Sequence, residues 1–532
     1  MYRQSAKGQL SFENFYLPFG GKLSGENRWV RLAELVPWET FESEYAEQFS
    51  NGQGAPAKTF RMALGALIIK EKLGTSDEET VEQIRENPYL QYFLGLSEYS
   101  DKAPFEASMM VHFRKRLRLE FVGRINERIV KPPKELEQKE IEEKQDKKEE
   151  KEENLEEERI EKEQKEENEA ELTNQGKLLL DATVAPADIR YPTDIKLLNE
   201  AREQTEIAID ALYKQVKAQL PKKPRTYRRE ARTAYLQIAK QRKPTRKKIR
   251  KALRKQLAYV RRNLAHIDTL IAAGAKLSEL KKNLYRNLLV VSEVYRQQQS
   301  MYEQGSNRID DRIVSITQPH VRPIVRGKSG TPVEFGAKLS VSCVDGKAFL
   351  DHLSWDNFNE SGDLEHQVEL FKSRFGHYPE SVYVDQIYRT RRNRAYCRNL
   401  GIRITAPSLG RPVADDLAAI RKQTLEDAKV RNQIEGKFGQ AKRRFNLDRV
   451  MTKLANTSET AIAITFLVMN LEALLRQLAF LFFSWMMMCR KCLSLPFGEG
   501  HFIFSALSWQ SWRFSVLTAK KSSFYPHFLL AA

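Results

Sequence analysis

The sequence predicts an α/β protein whose mixed sheet carries helices on its faces, preceded by an all-α N-terminal region. Three observations predict it. Short apolar or alternating runs bounded by turn residues recur between Lys177 and Thr405. Their order, strand, hairpin, helix, strand, helix, strand, argues for a mixed sheet with helices packed against it. Residues from about 55 to 125 show helical periodicity and no strand signal.

Taken in order, Phe60, Met62, Ala63, Leu64, Ala66, Leu67 and Ile68 give a helix with a broad apolar face, stopped near Gly74. Ser76 to Glu79 has the form of a capping box opening the next helix, which Asn87 and Pro88 break. A further helix carries His112 to Arg118, with five of seven residues potentially cationic. Such a face suits a phosphate backbone, and a solvated face on a packing helix explains it equally well. Lys177 to Val184 reads as a strand. Phe335 to Val344 and Ala348 to Trp355 flank Asp345 and Gly346, a hairpin signal. A helix is expected from Leu364 to Phe375, a buried strand from Ser381 to Asp385, a basic helix from Tyr388 to Leu400 and a strand from Gly401 to Thr405.

Two segments interrupt this series. Between Lys134 and Leu172 stand 19 acids and 9 bases with apolar residues off heptad spacing, the mark of a solvated helix or a disordered linker. The region from about Leu197 to Gly305 is helical by pattern, and Pro221, Pro224 and Pro244 divide it. From Lys222 to Arg262 it holds 18 Lys and Arg against one acid, Glu230, with Tyr227, Tyr235 and Tyr259 interleaved. Contact with DNA by part of this segment is expected, although the tyrosine spacing also suits anchoring a helical hairpin.

The whole chain has 532 residues, more than one core usually organises, so several units are expected. Its 88 Lys and Arg against 70 Asp and Glu give a net charge of +18. Polyanions, nucleic acid foremost, are the implied partners. With 41% apolar residues, 25 Gly and only 4 Cys, collagen-like, disulfide-stapled and wholly disordered classes are excluded. The few cysteines point to a reducing compartment, and Cys489 and Cys492 form a C-x-x-C pair without a second pair or flanking His to make a metal site. The first residues lack the apolar stretch of a signal peptide, so export is not expected.

The chemistry is carried by three acids. Asp181 and Asp385 each close an apolar strand, where ligands of open α/β sheets bind, although turns also recruit Asp as a cap. The segment from Val430 to Phe445 is a helix candidate. At about 100° per residue it places Arg431, Glu435 and Lys442 on one face. Gly439 leaves that face bare at a cost of about 1 kcal/mol, which close approach of backbone, metal or nucleic acid would explain. A surface ion-pair ladder is the plainer account.

These residues resemble the DDE transposases of insertion sequences, specifically the IS5-like branch of the IS4/IS5 grouping. Asp181 to Pro186 with Tyr191 to Asp194 is similar to the family's first-Asp block, and Tyr383 to Asp385 to its second. Arg431, Glu435 and Lys442 match the R-E-K part of the Y-R-E-K signature, whose tyrosine position is Ala428 here. The resemblance covers about 56 to 130, 176 to 200 and 306 to 480. It implies an RNase H-like catalytic core, a mixed five-stranded sheet flanked by helices, with an all-α N-terminal domain and a helical insertion between the first and second core strands. Asp181 would then end the first strand, Asp385 follow the fourth and Glu435 sit on a later helix.

The implied organisation is an N-terminal segment (1–55), a helical DNA-binding domain (56–130), a charged linker (131–175), the catalytic domain (176–196 and 306–480), a basic helical insertion (197–305) and an apolar tail (481–532). The implied activity is binding of terminal inverted repeats with Mg²⁺-dependent strand cleavage and strand transfer. Asp181, Asp385 and Glu435 would be both catalytic residues and ligands to two Mg²⁺ ions about 3.5 to 4 Å apart, with Mn²⁺ able to substitute. Arg431 and Lys442 would hold phosphates, with Lys437, Arg443, Arg444, Tyr388 and Arg389 as further DNA contacts. The expected partner is double-stranded DNA, bound by a homodimer or larger assembly in a prokaryotic, nucleoid-associated cytoplasm, with no membrane and no small-molecule substrate. An RNase H-like nuclease that cuts without joining, and an inactive DNA-binding relic, are the competing classes.

Ile462 to Met488 is strongly apolar but interrupted by Glu472 and Arg476, which favours a closing helix on the catalytic core over a membrane span. Beyond Cys492 no periodicity is evident, and that stretch reads as translation past an ancestral stop codon. Truncation near Lys491 is then expected to leave cleavage unchanged.

Overall fold

The computed structural model describes residue 2 and residues 11–49, 56–131, 174–325, 333–405 and 417–493. The chain forms two compact units, Met1–Leu475 and Arg476–Ala532. Nearly all of the expected charged linker, and the expected tail beyond residue 493, lie outside the described residues.

Among the described residues, seven α-helices build the N-terminal region: α1 (Arg28–Leu35), α2 (Glu42–Ala46), α3 (Phe60–Leu73), α4 (Asp77–Glu86), α5 (Pro88–Phe93), α6 (Met109–Arg116) and α7 (Leu119–Val130). The starts of α1, α3, α4 and α5 carry side-chain caps. Thr59 Oγ1 accepts from the Met62 N–H at 3.2 Å, Ser76 Oγ from Glu79 at 3.1 Å and Asn87 Oδ1 from Tyr89 at 2.9 Å. Such caps contribute about 1 kcal/mol each. Only the serine half of the expected capping box is made, because the Glu79 carboxylate accepts instead from Gln83 Nε2 at 2.8 Å. Gly74 ends α3 in the left-handed region, φ 68°. On α6 the basic run splits. His112, Lys115 and Arg118 are exposed, whereas Arg114 is buried in a two-pronged pair with Asp77 of α4. Arg114 is therefore a packing residue and is not available to a phosphate.

The region between the first two strands folds as α8 (Asp194–Gln215), α9 (Arg228–Ala239), α10 (Arg246–Ala272) and α11 (Lys282–Gln304). The prolines fall between helices, as their missing N–H requires. Tyr227 and Tyr259 serve as anchors: Arg225 and Arg262 lie 4.4 and 4.6 Å from the Tyr227 ring centroid, and Arg262 also stands over Tyr259.

Among the described residues, six strands form one sheet: β1 (Lys177–Pro186), β2 (Arg322–Val325), β3 (Val333–Val344), β4 (Lys347–Ser354), β5 (Ser381–Tyr383) and β6 (Arg403–Thr405). The path is β2-β3-β1-β5-β6, with β4 also paired to β3. β3 is antiparallel to β1, β2 and β4, while β5 is parallel to β1 and β6 to β5. Asp345 and Gly346 turn the β3–β4 hairpin at φ 48° and 73°, as a two-residue turn with two positive angles requires. β2 was not foreseen: four residues including Pro323 give no periodicity, and β3 alone pairs with it. Gly336 faces both Pro186 and Arg322 across β3, and a Cβ there would lie 2.1 Å from the Ala185 carbonyl oxygen.

The remaining helices are α12 (Leu364–Phe375), α13 (Arg391–Asn399), α14 (Leu417–Arg444) and α15 (Ala455–Leu493). Helix α13 starts at Arg391 because Thr390 caps it, accepting from Asn393 N–H at 3.1 Å, so Gln386–Tyr388 forms a separate short turn. Strand alternation sorts the two faces of the sheet. Leu178, Leu180, Val382 and Val384 pack against Leu364, Val368 and Phe371 of α12. Leu179, Tyr383, Leu339 and Val341 pack against Ile434, Phe438 and Ala441 of α14 and Phe466 and Leu467 of α15, in a core continuous with Phe60, Phe93 and Phe121 of the N-terminal helices. The Ala455–Phe480 stretch is long and apolar enough to cross a membrane, yet 61% of its most apolar window is buried in protein. Packing accounts for that apolarity.

Candidate active site

The parallel pairing of β1 with β5 runs from Lys177 opposite Ser381 to Leu179 opposite Tyr383. Continued two residues, that register sets Asp181 level with Asp385. Alternation puts both on the face of Leu179 and Tyr383, the face that α14 crosses. The sequence reading of Asp181 as a strand end is corrected here. Asp181 is interior to β1, opposite Val341, because β3 keeps pairing with β1 as far as Pro186 after β5 has stopped. The rim is made by the end of β5. Asp385 is exposed there and caps the turn after it, accepting from the Gln386 N–H at 2.9 Å. It follows the fifth strand in chain order, since β2 adds one to the expected count.

Helix α14 is held over this face at several points. Its inward stripe is Ile434, Phe438 and Ala441, spaced by four and three residues. Arg403 of β6 donates to both carboxylate oxygens of Asp427, at 3.0 and 2.8 Å. Beyond its C-terminal end, Val450 bridges Ala187 and Arg449 pairs with Asp188 at 2.7 Å, tying the chain to the residues that follow β1. Arg431 and Glu435 ride on this helix, paired at 3.1 Å, with Glu435 half exposed at 51%.

Burial is the largest influence on Asp181 and pushes its carboxyl up to about 6; Glu360 and Asp385 push the same way. A hydrogen bond from the Ala182 N–H at 2.8 Å and the charge of Arg431 pull against this. Glu360, in the turn after β4, was missed in the sequence. It stands alone in its motif context, and only the fold brings it near Asp181. Lys338 of β3 pairs with it at 2.9 Å.

A divalent cation fits the donor chemistry of this face: two hard carboxylates at one level, one of them desolvated and facing further negative charge. Among the described residues, however, no group of three or more His, Cys, Asp or Glu is close enough to hold a metal. The third expected ligand is engaged by Arg431 instead, whose charge also reaches Asp181.

The expected DNA contacts divide. Lys437 and Lys442 are partly buried on α14, and Arg443 is exposed. Arg443 Nε donates to the Gly439 carbonyl at 3.2 Å, and its exposed guanidinium is the group a Cβ at Gly439 would meet, at 3.1 Å. Arg444 is half exposed and pairs at 2.8 Å with buried Glu472, which also holds Lys72 of α3. Arg389 is partly buried. Tyr388 is a correction: it is fully buried among Val384, Leu364 and Cys397, which leaves its side chain no surface for DNA.

Residues 382–472 match the family described as Transposase DDE domain, and residues 18–116 match the Transposase domain DUF772. Both matches support a DDE transposase. The first spans Asp385, Arg431, Glu435 and Lys442, and the second the helices α1 to α6 with the segment before them. A protein of Rhizobium meliloti named "Uncharacterized protein ORF8 in nfe locus" is 40% identical over 88 residues, 16% of this chain and 42% of that protein. The chain thus spans under half the length of that relative. No solved structure matches. A DDE domain implies dependence on a divalent metal, which agrees with the donor chemistry of Asp181 and Asp385.

Proposed function

We propose that the chain is the transposase of an insertion sequence, an enzyme that binds the terminal inverted repeats of its element, cuts DNA strands and joins them to a target. The observation that carries this reading is the nearness of Asp181, within β1, to Asp385, just past the end of the parallel strand β5, with the charge of Arg431 on α14 also reaching Asp181. The mixed sheet, with the first Asp on its first strand and a helical insertion before the second, supports an RNase H-like core of the IS5-like branch.

Asp181, Asp385 and Glu435 would hold two Mg²⁺ ions, or Mn²⁺ in their place. Bound there, the metals would supply activation of an attacking oxygen and stabilisation of a leaving one. The protein's own contribution is separable from that. Asp181 must be ionised to act as a ligand, so in the metal-free chain its raised pKa makes a proton compete with the cation for it. Arg431 pairs with Glu435 and its charge bears on Asp181, and a DNA phosphate would compete for the same guanidinium. Lys442, Lys437 and Arg443 extend the cationic strip along α14.

Asp181→Ala, Asp385→Ala and Glu435→Gln are each expected to abolish strand cleavage of a duplex carrying the element's end, with end binding retained in a gel-shift assay. Cleavage that survives one of them removes that residue from the site. The absence of a three-donor group among the described residues favours an inactive relic as the second reading. Specific end binding by the wild type with no cleavage in Mg²⁺ or Mn²⁺ would establish it.

A further inference from the structure

The helices between β1 and β2 present a cationic face that the acidic site does not use. Helix α10 turns Ala252, Leu257 and Val260 into its core and turns Lys247, Lys248, Lys251, Arg254, Lys255 and Arg261 to solvent. At about 100° per residue these six fall within an arc of roughly 140° opposite the buried stripe, and they span about 21 Å of helix. The same segment contains cations with a structural purpose, and they look different. Lys223 and Arg228 pair with Asp210, while Arg250 and Arg262 lie over the rings of Tyr302 and Tyr227. Among the described residues, the six outward cations enter no ion pair. Lys247, Lys251 and Lys255 repeat at intervals of four, a spacing that repels along a helix. The fold keeps this repulsion without using it.

We propose that this face of α10 binds the phosphate backbone of duplex DNA, as a contact separate from the strip on α14. The proposal rests on the transposase reading for the identity of the polyanion. Its geometry is independent of that reading. A run of about 21 Å covers roughly six base-pair steps at 3.4 Å each. The apolar side of α10 is packed in the insertion's own cores with α8 and α11, so the helix has no face to insert into a lipid surface. The aromatic nearest this arc, Tyr259, is partly buried with Arg262 over its ring, so it is engaged within the protein and not offered for a single strand to stack on. Contacts of this kind fix position on the duplex and carry no sequence preference.

The test uses the full chain and a fluorescein-labelled 30-bp duplex of arbitrary sequence, with anisotropy read across a series of salt concentrations. Lys247→Gln, Lys251→Gln, Arg254→Gln and Arg261→Gln are combined in one variant, and its fold is checked by circular dichroism. Four lost phosphate contacts should lower the slope of log K against log salt by about 3 to 4. Lys248→Gln with Lys255→Gln, a milder variant, should lower it by roughly 2. An unchanged slope in both variants overturns the proposal and leaves the transposase reading standing. Loss of slope in the variants, together with cleavage that survives Glu435→Gln, keeps this surface and removes the proposed active site. Tighter binding to duplex RNA than to duplex DNA, or binding to vesicles of phosphatidylcholine and phosphatidylserine in preference to DNA, overturns the assigned partner.

Discussion

Replacing Asp181 by Asn removes a carboxylate that the fold must bury, and the structure gives the size of the effect. Burial raises that carboxyl from an ordinary 3.8 to about 6. At about 1.4 kcal/mol for every tenfold change in an ionisation constant, ionised Asp181 costs the folded state roughly 3 kcal/mol. The sign follows from which state holds the proton more tightly. The folded state does, so this contribution to stability is fully present below about pH 4 and is lost as pH rises through about 6. Asn keeps the oxygen that accepts from the Ala182 N–H and carries no charge. Asp181→Asn should therefore be more stable than wild type at pH 7.5, by up to about 3 kcal/mol, and equal to it near pH 4. Thermal unfolding followed by circular dichroism at the two pH values reads this directly. Adding Mg²⁺ at pH 7.5 should raise the wild-type melting temperature and leave the variant's unchanged, since only a ligand site in the folded state couples to stability. A variant less stable than wild type at pH 7.5, or one with the same difference at both pH values, would refute the reasoning.

Three further outcomes follow from the packing. Glu71 of α3 borders a cavity of about 800 Å³ and accepts from the Thr465 hydroxyl at 2.6 Å, while burial pushes its carboxyl up to about 7. Glu71→Gln should raise the melting temperature at pH 8 and leave it unchanged at pH 4.5, the reverse of what loss of a salt bridge would give. Gly336→Ala would force the β1 and β3 backbones apart, and soluble yield and helix and strand content should fall together, because overpacking of this kind costs about 1 to 3 kcal/mol or more. Glu472→Gln leaves buried Lys72 without its carboxylate and should destabilise by about 3 to 5 kcal/mol in urea unfolding, whereas Arg444→Gln, at the exposed end of the same network, should cost under about 1 kcal/mol.

Much of this architecture was legible from residues whose physics is local. Asp345 and Gly346 accept the positive φ angles of a tight hairpin, and the helix expected from Leu364 to Phe375 has those bounds in the structure. Ser76 marks a helix start because its hydroxyl meets the Glu79 N–H, whereas Asn87 with Pro88 ends one helix and also caps the next. What escaped was set by partners distant in sequence. β2 exists because β3 extends past Gly336 to receive it, and the segment Arg322–Val325 carries no strand pattern of its own. Asp181 was read as closing the apolar run although the expected strand runs on to Val184; β3 carries that strand on to Pro186, which places Asp181 in its interior.

The candidate site divides along the same line. Asp181, Asp385, Arg431 and Glu435 were visible as motif residues; the β1–β5 register, continued past β5, brings Asp181 and Asp385 to one level, and α14 brings the charge of Arg431 to bear on Asp181. The burial of Tyr388 and Arg114 was hidden, since neither a tyrosine beside a motif nor a basic run states which way it turns. Glu360 was hidden too, reaching the site only through the turn after β4 and its pair with Lys338. Charge composition and periodicity marked the basic segments as helical, while assigning each cation to structure or surface required the ion pairs and ring contacts of the folded chain.

The central claim is that one acidic face of this sheet both cuts and joins DNA. It is tested most directly by incubating the full chain with a labelled duplex carrying the DNA that flanks its gene, with a supercoiled target, in Mg²⁺ or in EDTA. The account predicts cleaved ends and target-joined products in Mg²⁺ alone, both lost in Glu435→Gln. Cleavage without joined products would leave a nuclease in place of a transposase, and products that persist in EDTA or in the variant would contradict the site itself.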